Sequence, residues 1–234
     1  MTIEVRRREE IFHKEGGWFS ANWHFSFDEY HDPENMAFGT LRVFNDDRLV
    51  PGAVWPMHPH RDIEGLTYVV DGTFEHRDSL GNGGVLSAGS VQRMTLGSGA
   101  YHSECNHSQI EPLRFIQMWI MPSEKGLEPS VEQRAYTVED RTNRLLAAIT
   151  PDGAEGSVRV HEEAWVYLAR LEGGVEVAHS VPEGFGAYLF VIEGGVAVNE
   201  VPLTVGEAAK IWEEERLRFS STEVAELIMV QVRV

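Results

Sequence analysis

Short apolar runs separated by glycine-containing turns dominate the hydrophobic pattern of this chain. The clearest runs, in order, are LTYVV, FIQMWIM, WVYLARL, AYLFVI and AELIMVQVRV. They are rich in β-branched and aromatic residues, and turn markers such as Asp71-Gly72 and Gly194-Gly195 lie between them. Runs of this length and composition predict β-strands joined by tight turns. The pattern therefore predicts an all-β fold whose sheets close or pack to hide their edges.

Helical periodicity is scarce along the chain. One short helix is predicted within TVEDRTNRLLAAI, residues 137–149. The expected class is therefore all-β with few short helices.

An internal repeat indicates two copies of one β module. The segment YVVDG at 68–72 resembles FVIEG at 190–194, and VLSAGSVQRM at 85–94 resembles PLTVGEAAKIW at 202–212. Self-similarity of this kind is typical of a chain built from tandem modules. The sequence therefore predicts two similar β domains.

The domains are expected to span residues 1–134 and 135–234. The join is placed within residues 122–157, because PSEKGLEPSVEQR and PDGAEGS are rich in proline, glycine and charge. Such composition is typical of the segments that connect domains.

Composition and charge limit the classes of partner. Hydrophobic residues make up 42% of the chain and charged residues 24%, which predicts a folded, soluble protein rather than a disordered one. The formal net charge of −17 argues against direct nucleic-acid binding and against an anionic membrane surface. Small molecules remain as partners, and an acidic surface also permits protein partners.

Cysteine use and the chain ends favour a cytoplasmic protein. Cys105 is the single cysteine, which excludes an internal disulfide and fits a reducing compartment. The segment MTIEVRRREE lacks the apolar core of a signal peptide, and no apolar run is long enough to span a bilayer.

Two short segments carry candidate metal ligands. His58 and His60 lie two residues apart, as do His102 and Glu104, so each pair shares one face of an extended strand. A lone His-x-His pair is more often structural than functional, but two such pairs on neighbouring strands would place three imidazoles and one carboxylate together. That set suits Fe(II), Mn(II), Ni(II), Cu(II) or Zn(II), and it leaves coordination positions open for chemistry.

The other seven histidines show no comparable pairing. We interpret them as surface or hydrogen-bonded residues, namely His13, His24, His31, His76, His107, His161 and His179.

The same segments carry a family resemblance. HPHRDIEGLTYVVDG at 58–72 and GSGAYHSECN at 97–106 resemble the two motifs of the cupin superfamily. Three further stretches, at 25–47, 75–82 and 117–134, narrow the resemblance to the pirin family, and to its bacterial members described as quercetin 2,3-dioxygenases. The match is dense over the first three-fifths of the chain and loose over the remainder.

The resemblance implies a bicupin, two tandem β-sandwich (jelly-roll) barrels, with one divalent transition metal in the N-terminal barrel. The family's ligands fall on His58, His60, His102 and Glu104, and all four residue types are present. Iron is the first expectation for the metal, with manganese, nickel, copper or zinc as alternatives.

The second module lacks a comparable ligand set. Aligning the repeat places Ser180, Pro182, Phe219 and Ser221 where the four ligands stand in the first module. His179 lies one residue away, but one histidine does not make a metal site. A metal-free second barrel is therefore expected.

The resemblance also implies an activity, dioxygenation of a flavonol such as quercetin at the 2,3 position with release of carbon monoxide. The partners would be a small planar aromatic substrate and dioxygen. Glu104 would bind the metal or take the proton of the flavonol 3-hydroxyl as general base. Two alternatives stay open, a redox- or metal-sensing cofactor that binds other proteins in transcription, and a cupin enzyme with another substrate.

Three further features of the sequence bear on the site. Glu64 is expected either beside the ligands or in a salt bridge with Arg61 or another base. Cys105 is interpreted as a packing residue rather than a nucleophile. A planar substrate needs aromatic walls, and the candidates, for which core packing is the favoured role, are Phe25, Phe27, Tyr30, Phe38, Phe44 and Trp119.

Overall fold

The computed structural model describes residues 2–234, which form a bicupin built almost entirely from antiparallel β-strands. The first twelve strands are β1 (Thr2–Arg6), β2 (Phe12–Glu15), β3 (Phe19–Trp23), β4 (Leu41–Leu49), β5 (Val54–His60), β6 (Glu64–Asp71), β7 (Thr73–Asp78), β8 (Gly83–Ser87), β9 (Ser90–Thr95), β10 (Ala100–Asn106), β11 (Leu113–Ile120) and β12 (Ser130–Ala135). The remaining strands are β13 (Leu146–Thr150), β14 (Val158–Arg159), β15 (Ala164–Leu171), β16 (Glu176–Ser180), β17 (Phe185–Glu193), β18 (Gly195–Val198), β19 (Val201–Thr204), β20 (Ala208–Trp212), β21 (Arg216–Ser220) and β22 (Ala225–Arg233).

In the part of the chain that the structure describes, helical structure is limited to one α-helical turn, α1 (Val138–Arg141), and two 3-10 turns at Arg8–Glu10 and Ala154–Gly156. The helix predicted over 137–149 is therefore wrong beyond its first turn. Residues 146–150 pair as a strand with β15 instead, which buries Ala148 and Ile149 in the core. Tertiary pairing overrides local helical propensity there. Among residues 2–234, no helix is long and apolar enough to cross a membrane.

The N-terminal barrel consists of a seven-stranded sheet and a four-stranded sheet packed face to face. Their orders are β12-β9-β6-β11-β4-β3-β2 and β5-β10-β7-β8. Alternate residues of each strand point between the sheets. An apolar cluster that includes Leu49, Val69, Phe74 and Phe115 closes one end of this barrel, whereas the other end carries the predicted metal ligands.

The C-terminal barrel repeats this arrangement. Its sheets have the orders β1-β20-β17-β22-β15-β13-β14 and β16-β21-β18-β19. The hairpin segments β6 and β17, which the internal repeat aligns, occupy equivalent central positions in the two large sheets. Together with the two sandwiches, this repeat confirms the predicted bicupin. The interior of the second barrel is apolar, with Leu189, Phe219 and Met229 buried at its centre.

The first strand of the chain belongs to the second barrel. β1 pairs with β20 in antiparallel register, from Thr2 opposite Trp212 to Arg6 opposite Ala208. The following residue, Arg7, contacts both carboxylate oxygens of Glu207 at 3.0 Å. The N-terminus therefore crosses to the C-terminal sheet before the chain builds the first barrel.

The two large sheets pack against each other and form a continuous core between the barrels. Phe44, Tyr68 and Ile116 from the first barrel meet Tyr188 and Phe190 from the second. Aromatic contacts of this size contribute strongly to the burial of apolar surface. This packing holds one face of the N-terminal large sheet against its neighbour and leaves the other face to line the first barrel.

Candidate metal centre

Strands β5 and β10 bring the three predicted histidine ligands together. His58 stands directly opposite His102 across the two strands, and His60 stands opposite Ala100. Because His58 and His60 are two residues apart, both side chains point to the same face. One ligand nitrogen from each of the three histidines lies within 4.8 Å of the others.

The three rings are arranged to face one small volume. Ring centroids lie 4.5 Å apart for His58 and His102, 4.8 Å for His58 and His60, and 5.2 Å for His60 and His102. Nδ1 of His58 is 2.8 Å from the carbonyl oxygen of Pro56, so it donates its proton there and leaves Nε2 free as a ligand.

The burial, the missing hydrogen bonds and the lowered pKa of His102 fit the role of a metal ligand. Its side chain is only 5% exposed, yet neither ring nitrogen has a hydrogen-bond partner among the described residues. An unpaired buried polar group costs free energy, and coordination to a metal would satisfy it. Burial, then neighbouring histidines, lower the pKa of His102 to about 3 and that of His60 to about 4. Both rings are therefore neutral, as a metal requires of its ligands.

Glu104 lies beside this cluster but is not one of its three members. A shift in the β5–β10 register falls between His102 and Glu104. The Oε1 atom of Glu104 is 4.0 Å from Nδ1 of His102 and accepts a hydrogen bond of 2.9 Å from Nε2 of Gln117. Burial raises the pKa of the carboxyl group. Its role as fourth ligand or as base stays a prediction.

An aromatic cavity of about 470 Å³ opens onto the histidines. Its aromatic walls are Phe19, Trp23, Phe27, Trp55 and Trp119. The rings form a connected series, with Trp119 at 4.8 Å from His60 and Phe27 at 5.4 Å from Trp119. The cavity is thus a largely apolar space lined in part by the imidazoles of His58 and His60, an arrangement suited to a flat aromatic ligand.

Two of the six aromatic residues considered from the sequence line this cavity, Phe27 and Trp119. Phe25, Phe38 and Phe44 are buried in the core between the barrels, which is the packing role that the sequence favoured for them. Tyr30 stacks on the ring of Phe12 with centroids 4.8 Å apart.

Polar residues of the cavity were missed by sequence reasoning. Asn45 and Asp47 from β4 and Gln117 from β11 line it. Asp47 is buried with Oδ1 unpaired, and burial, then Asp46 and Glu104, raise the pKa of its carboxyl group well above the usual range. The available signal was the polar run NDD at 45–47 directly after the apolar pair Val43-Phe44, because buried polar side chains are costly unless they are paired or serve a site.

His76 also adjoins the centre, on β7. Its side chain is fully buried, its ring centroid lies 5.8 Å from that of His102, and its Nε2 is 3.5 Å from Oδ2 of Asp78. It therefore contacts His102 from β7, on the side of β10 away from β5. No sequence spacing marked this proximity, which arises from the pairing of β7 with β10.

Glu64 faces away from the aromatic cavity. It accepts a hydrogen bond of 3.2 Å from Thr95 Oγ1, lies 3.3 Å from Nδ1 of His161, and approaches Nε of Arg93 at 3.9 Å. Of its two expected roles, the salt bridge with a base other than Arg61 is the one observed. Glu64 thus helps to hold the first barrel to the loop that carries His161.

Cys105 is half-buried beside Glu75, with the thiol 3.5 Å from a carboxylate oxygen. Burial, followed by the charge of Glu75, raises the pKa of this thiol to about 11. The thiolate is therefore scarce at neutral pH, which agrees with a packing role rather than that of a nucleophile.

The corresponding region of the second barrel is differently equipped. Nε2 of His179 is hydrogen-bonded to Oε1 of Gln231 at 2.8 Å, and its ring packs on Tyr167. Phe219, at the place aligned with His102, is buried among apolar side chains. That the second barrel binds no metal stays a prediction.

The fold and this cluster define a two-barrel cupin with a histidine-rich candidate metal centre in its first barrel. Comparison with protein families gives the finer assignment. The model of the pirin family, described as Pirin, matches residues 4–120, and a model described as Quercetinase C-terminal cupin domain matches residues 147–232. The chain belongs to the pirin family.

Relatives match over nearly the whole chain. A protein of Escherichia coli K12 named quercetin 2,3-dioxygenase is 36% identical over 228 residues, which is 97% of each chain. A pirin-like protein of Caulobacter vibrioides is 39% identical over 216 residues, 92% of each chain. The bacterial pirin YhhW from Escherichia coli, solved in complex with nickel(II), superposes with a TM-score of 0.93 at 35% identity and covers 99% of both chains.

Proposed function

We propose that this protein is a mononuclear metal-dependent dioxygenase that cleaves flavonols such as quercetin at the 2,3 position and releases carbon monoxide. The observation that carries the proposal is the group of three imidazoles, two of which, His58 and His60, line an aromatic cavity. The names of the relatives, quercetin 2,3-dioxygenase among them, support the same reaction.

His58, His60 and His102 would hold the metal, with Glu104 as a fourth ligand or as a base. A bound divalent metal would supply Lewis acidity and redox chemistry for the reaction of a flavonol with dioxygen. One metal per chain, in the N-terminal barrel, is proposed. Iron remains the first expectation on redox grounds, and the nickel complex of YhhW supports a divalent ion of this series.

Glu104 would take the proton from the 3-hydroxyl of the substrate. Its carboxylate is buried, so burial raises its pKa and makes it a better proton acceptor than an exposed carboxylate. The hydrogen bond from Gln117 to Oε1 orients the group and leaves Oε2 for the substrate. Glu104 is thereby held near the histidines without filling the cavity.

The cavity walls would orient the flavonol. Trp119 contacts both His60 and Phe27, and Trp55 contacts Phe19. Flat aromatic walls bind a planar ring system and exclude water from it. The volume of about 470 Å³ lies within the range of about 300–1,000 Å³ that is usual for small-molecule sites.

The test is carbon monoxide release from quercetin by the purified chain loaded in turn with iron, manganese, nickel, copper and zinc. We expect turnover with at least one redox-active metal, one carbon monoxide per quercetin consumed, and none from chelator-treated protein. Glu104→Gln is expected to reduce kcat by roughly 100-fold or more, the usual range for loss of a general base.

Fully metallated protein that releases no carbon monoxide with any of the five metals would contradict the proposal. Metal content must be measured on the same samples, so that an empty site is not mistaken for an inactive one. Turnover of another substrate by that protein would point to a different cupin reaction.

A further inference from the structure

A second cavity, of about 290 Å³, lies where the two barrels meet. We call it the interdomain cleft and define it by Arg8, His24, Asp46, Arg48, Arg114 and Phe190, which line it. It shares a wall with the aromatic cavity, because Asn45 and Asp47 of β4 point into the aromatic cavity and Asp46 and Arg48 into the cleft. The cleft is therefore separate from the metal centre, on the other face of the same sheet.

The charges of the cleft are unusual for a chain with a net charge of −17. Three guanidinium groups line it, against the single carboxylate of Asp46. Arg114 neutralises that carboxylate with hydrogen bonds of 2.8 Å from Nε and 3.0 Å from Nη2. Three cations and one anion leave an excess of two positive charges, counting the histidines as neutral.

Two of the guanidinium groups have no side-chain partner among the described residues. Within residues 2–234, Arg8 and Arg48 make no side-chain hydrogen bond or ion pair. Arg48 stands directly opposite Arg114 across β4 and β11, and like charges in that position repel. Partial burial, Arg114 and Arg8 lower the pKa of Arg48, whereas Asp46 and Asp71 act in the opposite direction. A bound anion would relieve this repulsion.

His24 supplies an independent sign of a ligand at the floor of the cleft. Its side chain is fully buried, and Nε2 has no hydrogen-bond partner among the described residues. Nδ1 lies 2.8 Å from the hydroxyl of Tyr188, which burial keeps protonated by raising its pKa. Nδ1 of His24 is the one acceptor within reach of this buried hydroxyl among the described residues, so we take the hydroxyl as the donor, which places the imidazole proton on Nε2. That N–H is then a buried donor without an acceptor.

We propose that the interdomain cleft binds a phosphate group, either as inorganic phosphate or as part of a small phosphate monoester. A phosphate dianion matches the excess of two positive charges, and guanidinium forks match phosphate oxygens. The free donors are the guanidinium groups of Arg8 and Arg48 at the rim and Nε2 of His24 at the floor. Because Phe190 belongs to the second barrel and Arg48 to the first, the ligand would bridge the two.

The test is phosphate binding to the full, metal-loaded chain, measured by calorimetry and by thermal unfolding. Sodium chloride at equal ionic strength is the reference. We expect the melting temperature to rise by roughly 3–6 °C once inorganic phosphate is tenfold above its Kd, because a ligand that binds only the folded state stabilises it.

Arg48→Gln should weaken phosphate binding roughly tenfold or more, because charge-assisted hydrogen bonds are lost. Without phosphate its melting temperature should equal or exceed that of the parent chain, since the repulsion with Arg114 is removed. Arg8→Gln should also weaken binding. The matched control is Arg144→Gln, which removes an exposed guanidinium paired with Asp140 far from the cleft, and should leave phosphate binding unchanged.

Several results would overturn the proposal. One is a melting temperature no higher in phosphate than in chloride. Another is a phosphate Kd that is unchanged in both Arg48→Gln and Arg8→Gln. Because these variants keep the metal ligands, that result would mean that the phosphate binds at the metal centre and not in the cleft. Succinate binding as tightly as phosphate would exclude a phosphate-specific cleft.

Glycerol 3-phosphate distinguishes the two sources of the phosphate group. Binding as tight as that of inorganic phosphate would assign the cleft to monoesters, and much weaker binding would assign it to the free ion. Neither readout depends on turnover of quercetin, so the outcome is independent of the proposed dioxygenase activity.

Discussion

His102 is the residue on which the candidate metal centre depends most directly. It is the most buried of the three histidines, and both of its ring nitrogens are unpaired among the described residues. His58 and His60 are half-buried and nearer the cavity, and His58 already has a hydrogen bond from Nδ1 to Pro56. Burial therefore fixes the side chain of His102, whereas the two-residue spacing on β5 places His58 and His60 on the same face.

Replacing the ligands tests the centre at this scale. His58→Ala and His102→Ala are each expected to reduce bound metal from about one equivalent per chain to near zero, because two remaining imidazoles bind a divalent ion far more weakly. Metal content by mass spectrometry is the measurement. Circular dichroism should show the β-fold retained, since strand pairing does not depend on these side chains.

His31→Ala is the matched control, because this histidine is exposed and lies outside the cluster. It should keep its metal. Stoichiometric metal in both His58→Ala and His102→Ala would show that the centre has been assigned to the wrong residues.

At the scale of elements, β1 is the segment whose position matters most. It extends the large sheet of the second barrel by pairing with β20. Ile3 and Val5 are partly buried against the apolar core of that barrel. The edge of β20 is therefore covered by the N-terminus, which prevents the edge from pairing with another chain.

The double variant Ile3→Ala with Val5→Ala should loosen this edge. We expect the free energy of unfolding to fall by about 1–3 kcal/mol, since two partly buried aliphatic side chains are truncated. Hydrogen exchange followed by mass spectrometry should show faster exchange in residues 208–212. Residues 54–60 in β5 should exchange as before.

Val85→Ala, at an exposed valine of β8, is the control for loss of a surface side chain. It should leave exchange in residues 208–212 unchanged. If the double variant behaves in the same way, β1 does not protect the edge of β20.

At the scale of the whole molecule, the barrels are joined by a buried interface that includes one histidine. His24 packs among Phe44, Tyr188 and Phe190. Burial, and then the charge of Arg6, lower the pKa of His24 to about 3 from the ordinary 6.5. The neutral ring is thus part of the interface, and its protonation opposes the packing of the two barrels.

This histidine should make the stability of the molecule depend on pH. Because the folded pKa lies below the unfolded pKa, the unfolded state takes up the proton first on acidification. The contribution is fully present above pH 6.5 and is lost as the pH falls towards 3. Between those limits the slope due to this one group is at most about 1.4 kcal/mol per pH unit.

His24→Gln should remove most of that slope between pH 6 and 4, as measured by denaturant unfolding in phosphate-free buffers. His31→Gln, at an exposed position, should retain it. Equal slopes in the parent chain and His24→Gln would mean that His24 is already charged in the folded state.

The sequence by itself determined the β class and the duplicated module, and it singled out the three histidines that the structure groups together. Each rests on local information, because an i, i+2 spacing places side chains on one face of a strand whatever the strand's partners are. His58, His60 and His102 could therefore be selected before their strands were known to pair. The helix predicted within 137–149 shows the limit of such local information, because it is confirmed only at Val138–Arg141, and Leu146–Thr150 forms a strand through its pairing with β15.

Only the tertiary structure decided which residues surround those ligands. Trp23, Trp55 and Asp47 line the aromatic cavity because strands distant in the chain are paired, and nothing in their local sequence separates them from core residues. The pairing of β1 with β20 in the second barrel, and the proximity of Arg8 and Arg48 in the interdomain cleft, also depend on contacts between segments that are distant in the chain. Strand periodicity sets the face of a side chain, whereas sheet order and domain packing set what that face meets.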